Sequence, residues 1–238
     1  MEHRDRLWPG GYTFLYDDGL FRPSTDTFLL GSFPRLRRGM TVCELGAGTG
    51  LLSLLLLARE PELTVTGVEL QPQACALFRR TAEENGLQGR MHCLEGDLRQ
   101  GLLPPGRFRL AVANPPYFPP DAGAVAPDAA RRTARAETDC TLAQLCAAAA
   151  RALTWGGSFC LVHRPDRLAD VLEELRRVRL EPKRFVHHTA AAPPSLFLLE
   201  ARLGGGVGLT VEPPLLLHGP DGGETEDVRR AYFRDKEE

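Results

Sequence analysis

The chain has 238 residues, of which 43% are hydrophobic and 25% charged, enough for one globular α/β domain with a sizeable core. Its formal net charge of −2 does not advertise a polyanion binder, although residues 221–238 carry seven acids and four bases and leave the remainder at +1. No apolar run reaches the ~20 residues that span a bilayer, and the charged start, Met1 to Arg6, leads into no apolar signal core.

In chain order, residues 10–22 read as a short hairpin, with aromatic residues on either side of an Asp17-Asp18-Gly19 turn. Thr25 to Phe33 reads as a short helix, with Ser24 to Asp26 as cap candidates and Pro34 near its end. A regular alternation begins after Gly39. Strands are expected at Thr41–Leu45, Leu63–Val68, Arg90–Leu94, Phe108–Ala113 and Gly157–His163. Helices are expected at Leu51–Arg59, Pro72–Asn85, Thr141–Leu153 and Arg167–Val178. Pro72 suits a first helical turn, and Asn85-Gly86 a C-terminal stop. Lys183–His188 and Leu196–Leu203 then follow as two strands with no helix between them, so an antiparallel pair is expected there. The whole reads as a Rossmann-like, mostly parallel, doubly wound sheet. Residues 1–39 are expected to pack as an N-terminal hairpin and helix on a catalytic domain of residues 40–238. Residues 119–136 lack a core pattern and follow a candidate site directly, which favours a lid over a plain connector. The six cysteines form no CxxC pair and no ligand cluster with histidine. They point to a reducing cytoplasm, with no metal and no disulfide.

Two motifs carry chemistry. The first is Val42-Cys43-Glu44-Leu45-Gly46-Ala47-Gly48-Thr49-Gly50, a strand running into a glycine turn and then a helix. Glycine admits positive φ and close approach of a ligand, and open α/β sheets bind ligands beyond the carboxyl ends of their strands. Glu69-Leu70 ends the next strand, where an acid can hold both hydroxyls of a ribose. Asp97-Leu98 follows the third strand, where an acid can bond an adenine amino group. One acid after each of three successive strands suits an adenosine ligand. A dinucleotide fits less well: its fingerprint is G-x-G-x-x-G, whereas here position 51 is Leu and Glu44 would sit near a pyrophosphate. A carboxylate suits a ligand with cationic sulfonium and ammonium groups better.

The second motif is Asn114-Pro115-Pro116-Tyr117 at the end of an apolar run. The Asn amide oxygen accepts hydrogen bonds, the prolines offer carbonyls without competing N–H donors, and Tyr117 offers a π-face. Together they make a cradle for a planar NH2 group, with no nucleophile and no strong base. Bonds from that NH2 to the Asn114 oxygen and the Pro115 carbonyl favour a pyramidal nitrogen whose lone pair can attack a methyl group in line. A nucleic-acid base must be unstacked to reach such a pocket.

The E-x-G-x-G-x-G pattern resembles the S-adenosylmethionine loop of class I methyltransferases, and the Asn-Pro-Pro-Tyr quartet resembles the catalytic motif of amino-group methyltransferases. At family level the chain resembles the bacterial methyltransferases that modify N6 of the adenine at position 37 in valine tRNA. The likeness runs from the N-terminal hairpin and Arg22 to Gly31 through both motifs, with Phe118, to Ala134-Arg135-Ala136-Glu137 before an Ala-rich helix. It implies S-adenosylmethionine as cofactor, S-adenosylhomocysteine as product, tRNA as partner, and a cytoplasmic monomer or weak homodimer. It also places Thr25 and Asp26 over the methionine end of the cofactor, where the residues alone read equally as a helix cap. Arg131, Arg132 and Arg135 become candidate phosphate contacts, and Tyr117 and Phe118 contacts to the base. The competing family is the release-factor glutamine methyltransferases, whose substrate amide is also a planar NH2. Those enzymes carry a helical domain before the cofactor loop, whereas only 40 residues precede Thr41 here.

Overall fold

Alternate residues of one central strand, β3 (Thr41–Leu45), serve two cores. Val42 packs in one apolar cluster, and Cys43 and Leu45 in the other. A strand that is buried on both faces belongs inside a sheet covered by helices on both sides. The computed structural model, which describes residues 1–20, 22–115, 140–187 and 193–236, has that arrangement.

The chain runs outward from β3 through α2 (Leu51–Arg59), β4 (Thr64–Glu69), α3 (Pro72–Glu84) and β5 (Met91–Glu95). It then returns to the opposite flank of β3 with β6 (Phe108–Ala113). The turnaround makes the gap between β3 and β6 the switch point of the sheet, where ligand crevices form. Beyond β6 come α4 (Leu142–Ala152), β7 (Leu153–His163), α5 (Leu168–Arg177), β8 (Leu180–His187) and β9 (Phe197–Leu203). The eight-stranded order is β10-β8-β9-β7-β6-β3-β4-β5, with β10 at Thr210–Val211. Strands β3 to β7 are mutually parallel, and β9 is antiparallel to both β7 and β8. The expected parallel sheet and its antiparallel C-terminal pair are both present. No described helix is long and apolar enough to cross a membrane.

Helix α2 is buried from Leu51 through Ala58. A helix that is apolar all round needs cover on both sides. The sheet supplies one side and α1 (Thr25–Ser32) the other. Gly31 makes the crossing possible, because a Cβ there would stand 2.9 Å from Leu55 Cδ1. Arg59 donates back to the carbonyls of Gly31 and Pro34 and ties the end of α1 in place. At the other end of the chain, α6 (Glu226–Ala231) leads to Tyr232, whose ring stacks on Phe28 of α1 at 4.3 Å and 9°.

The N-terminal hairpin differs from expectation. Its strands are β1 (Glu2–Arg6) and β2 (Thr13–Asp17), with Arg6 opposite Thr13 and Glu2 opposite Asp17. The turn therefore lies at Trp8-Pro9-Gly10-Gly11, where Gly10 takes φ 75° and the Gly11 N–H donates to the Trp8 carbonyl. Asp17-Asp18-Gly19 instead ends β2. Strand β2 lies along α3. The Thr13 N–H donates to Asn85 Oδ1, Asn85 Nδ2 donates to the carbonyls of Thr13 and Thr81, and the Leu15 N–H donates to Thr81 Oγ1.

Candidate functional site

Strand register brings both motifs to one edge. Glu44 pairs with Val112 and Leu45 with Val68, so β3, β4 and β6 end side by side, and Glu69 pairs with Glu95 at the end of β5. The glycine loop, Glu69-Leu70, Asp97-Leu98 and Asn114 thus share the carboxyl edge of four adjacent strands. Three steps of ~4.8 Å separate β6 from β5, about 14 Å in all, room for an adenosine with a short aliphatic arm.

The three glycines of the loop do different work. All take positive φ: 73° at Gly46, 53° at Gly48 and 87° at Gly50. Gly46 is exposed, and a Cβ there would meet nothing within 4 Å, so its backbone faces open space. Gly50 is buried, and a Cβ there would stand 2.6 Å from Phe78 Cδ2 and 2.7 Å from Met91 Cε. Gly46 thus offers an open backbone face to a ligand, whereas Gly50 serves packing at the start of α2.

Each expected acid is already engaged by the protein. Glu44 is buried, and its Oε2 accepts from both the backbone N–H and the hydroxyl of Ser53 in the first turn of α2. Burial pushes its pKa up to about 8, against the lowering effect of the Ser53 bonds. Among the described residues its Oε1 takes no hydrogen bond, and a cationic ligand group nearby would favour the charged form. Glu69 is buried too. Its Oε2 accepts from the Gly48 N–H at 2.8 Å and its Oε1 from the Gln71 N–H at 2.9 Å, which joins the glycine loop to the loop after β4. Asp97 caps a single 3-10 turn, Leu98–Gln100, and accepts from both the backbone and the guanidinium of Arg99. Those bonds hold its carboxyl below the usual carboxylate range. Leu70 is 44% exposed, an apolar side chain set beside the acid that ends β4.

Asn114 is half-buried at the end of β6, and its Nδ2 donates to Thr27 Oγ1 at 3.0 Å. This bond bridges 87 residues and lays the first turn of α1 against the strand end. Thr25 there is exposed and Asp26 half-buried. Ser24 occupies the N-cap position of α1 without a side-chain capping bond; its hydroxyl lies 3.3 Å from that of Thr27. Thr27 and Ser53 were not among the expected site residues. Ser53 follows the glycine loop at helical spacing and was open to local inference, whereas nothing local in the sequence marks Thr27. Pro115 is half-buried at the strand end. Pro116, Tyr117, Phe118, Arg131, Arg132 and Arg135, with the proposed lid at 119–136, lie outside the described residues.

A cavity of about 460 Å3 opens on the opposite side of the sheet from α2. Leu45, Val68, Leu98 and Leu103 form its apolar lining, with Gln144 and Arg151 of α4 beside them. Among the described residues expected at the site, only Leu98 borders it.

Comparison with known proteins agrees with this geometry. The family model for the methyltransferase small domain matches residues 23–180. A tRNA1(Val) (adenine(37)-N6)-methyltransferase of Yersinia enterocolitica is 31% identical over 193 residues, covering 78% of this chain and 74% of the relative. The enzyme of the same name from Yersinia pestis is 32% identical over 160 residues, 64% of each chain. Among solved structures, a predicted O-methyltransferase from Agrobacterium tumefaciens shares the fold with a TM-score of 0.71 at 21% identity, over 87% of this chain and 97% of that one. The Thermus thermophilus 16S rRNA N2 G1207 methyltransferase, solved with AdoMet and guanosine, aligns at 26% identity and a TM-score of 0.57, over 85% of this chain and 50% of that one. The chain belongs to the methyltransferase small domain family, within the class I S-adenosylmethionine-dependent methyltransferases.

Proposed function

We propose that this enzyme methylates N6 of an adenine in tRNA. The observation that carries the reading is the 31% identity over 193 residues to the Yersinia enterocolitica enzyme named for that reaction. The position of Asn114 at the switch point supports it, because a carboxamide oxygen there suits an amine acceptor.

In this reading Gly46 and Gly48 offer their backbone to the cofactor, and Gly50, expected beside them from the sequence, closes the loop onto α2. Glu69 takes the ribose hydroxyls, Leu70 and Leu98 flank the adenine, and Asp97 meets its amino group. Glu44, Thr25 and Asp26 lie toward the methionine end. Bound S-adenosylmethionine supplies a methyl group on a sulfonium, already activated for transfer, so no metal is required. The chain's own part is to hold the acceptor. Asn114 Oδ1 and the Pro115 carbonyl accept from the substrate NH2, and developing positive charge on that nitrogen strengthens both bonds. Pro116 adds rigidity, Tyr117 and Phe118 stack on the unpaired base, and Arg131, Arg132 and Arg135 contact phosphate. Residues 1–39, the hairpin and α1, pack on a catalytic domain of residues 40–238. The enzyme works as a monomer or weak homodimer in the cytoplasm.

The test is incubation with methyl-labelled S-adenosylmethionine and separate pools of unmodified tRNA, rRNA and protein. Label recovered from tRNA as N6-methyladenosine is the expected result. Label on a protein glutamine would replace the substrate assignment with the glutamine-methyltransferase reading. The names of the relatives, tRNA1(Val) (adenine(37)-N6)-methyltransferases, favour the tRNA reading over that one.

A further inference from the structure

We propose that Thr27 is a positioning residue that sets which end of the Asn114 carboxamide faces the substrate. The proposal rests on the amino-methyltransferase reading above and deepens it. A carboxamide has one accepting and one donating end of nearly the same shape. Turned one way, Asn114 offers an oxygen to the substrate NH2. Turned the other way, it sets its own NH2 against that NH2, two donors face to face. A methyltransferase that relies on this asparagine therefore needs something that distinguishes the two ends before substrate arrives.

Thr27 Oγ1 lies 3.0 Å from Asn114 Nδ2 and 3.3 Å from Ser24 Oγ. A hydroxyl carries one proton and two acceptor lone pairs. When Thr27 gives its proton to Ser24, both of its remaining positions accept, and only the NH2 end of Asn114 can bond to it. Either hydroxyl of the Ser24–Thr27 pair can donate; with Ser24 as acceptor, Thr27 biases Asn114 toward presenting its oxygen. The hydroxyl is held in place. Thr27 is 2% exposed, and α1 is fixed by the Gly31–Leu55 crossing, by Arg59 on the Gly31 carbonyl and by Tyr232 stacked on Phe28. The half-buried NH2 of Asn114 also loses a partner if the carboxamide turns, which adds to the preference.

The experiment compares Thr27→Val, which keeps the shape and removes the hydroxyl, with Thr27→Ser, which keeps the hydroxyl. Turnover, substrate KM and the Kd for S-adenosylmethionine are measured for each on the substrate the wild type modifies. T27V is expected to lose about 10- to 100-fold in kcat, with KM and the cofactor Kd within about twofold of wild type. T27S is expected to retain most of the wild-type kcat. Wild-type turnover in T27V overturns the proposal. So does an equal loss in T27S and T27V, or a loss in T27V matched by weaker cofactor binding, since both would mark a structural role. Wild-type transfer to a protein glutamine instead of tRNA refutes the substrate assignment alone; the two variants then test Thr27 on that amide.

Discussion

Gly46→Ala and Gly50→Ala are expected to fail in opposite ways, although the two glycines lie four residues apart in one loop. Both hold positive φ, 73° and 87°, so either alanine takes on a left-handed penalty of ~1–2 kcal/mol. At Gly46 the added methyl meets no heavy atom within 4 Å, and that penalty is the whole cost. At Gly50 it is driven to within 2.6 Å of Phe78 and 2.7 Å of Met91. Phe78 is wholly buried, and overpacking of this kind adds ~1–3 kcal/mol, for a total of ~2–5 kcal/mol. In a chain of this size each kcal/mol lowers Tm by ~2–4 °C, so G46A should fall by ~2–8 °C and G50A by ~4–20 °C. Ligand binding reverses the order. The methyl of G46A projects into the crevice, so its affinity for S-adenosylmethionine should drop at least about tenfold while the protein stays folded. Thermal melts with and without cofactor, and isothermal titration, measure both quantities. A G50A protein that melts no lower than G46A refutes the assigned packing role. A G46A protein that binds cofactor like the wild type refutes the assignment of the open face of Gly46 to the ligand.

Three further outcomes follow from the same geometry. Asn114→Ala should lower kcat by about 100- to 1,000-fold while the cofactor Kd changes little; retained turnover would remove Asn114 from the acceptor site. Glu44 is raised from 4.5 to about 8 in the folded protein, so between those values the unfolded chain releases a proton that the folded one keeps, and stability falls as pH rises through this window. Glu44→Gln, which keeps an acceptor for Ser53, should flatten that decline in Tm. It should also abolish proton release on cofactor binding, measured by calorimetry in buffers of different ionisation heat; identical pH profiles for the two proteins would contradict the buried carboxyl's role. Replacing Arg131, Arg132 and Arg135 by Ala should weaken tRNA binding and reduce its salt slope by ~0.7–0.9 for each phosphate no longer neutralised, and an unchanged slope would show that these arginines do not touch the RNA.

The parts of this fold that were legible in the sequence are those decided locally. β3 and β6 are short apolar runs that end at a glycine turn and at Asn-Pro, and both begin and end where the pattern places them. The hairpin was misjudged because β1, Glu-His-Arg-Asp-Arg, has no apolar alternation. Its place is set by the ladder with β2, which packs on α3, with exposed pairs Arg80–Glu2 and Arg4–Glu84 alongside, and contacts some 80 residues apart leave no local trace. With β1 unseen, the glycines at 10 and 11 looked like the start of the hairpin rather than its turn. Thr27 was missed for the same reason: a buried threonine two residues into a helix is commonplace, and only its bond with Asn114 sets it apart.

Glu44, Glu69 and Asp97 stand in or just after the strands where the sequence puts them, but each makes contacts the sequence does not reveal. Glu44, Glu69 and Asp97 were read as groups waiting for a ligand, and each also bonds the protein. This is compatible with binding, because a carboxylate oxygen has two acceptor sites and a single N–H occupies one of them. Glu69 holds two backbone amides from two loops, so the crevice is shaped, and its carboxylate aimed, before any ligand arrives. Orientation fixed in advance removes a reorganisation cost from binding. Asp97 is the exception, since the Arg99 guanidinium covers both of its oxygens. That pair is partly open to water, with Arg99 38% exposed, and such pairs contribute only ~0–1 kcal/mol. A ligand amino group at Asp97 would therefore have little to displace, and the strand-end edge combines two acids held rigidly by the protein, Glu44 and Glu69, with one yielding acid, Asp97.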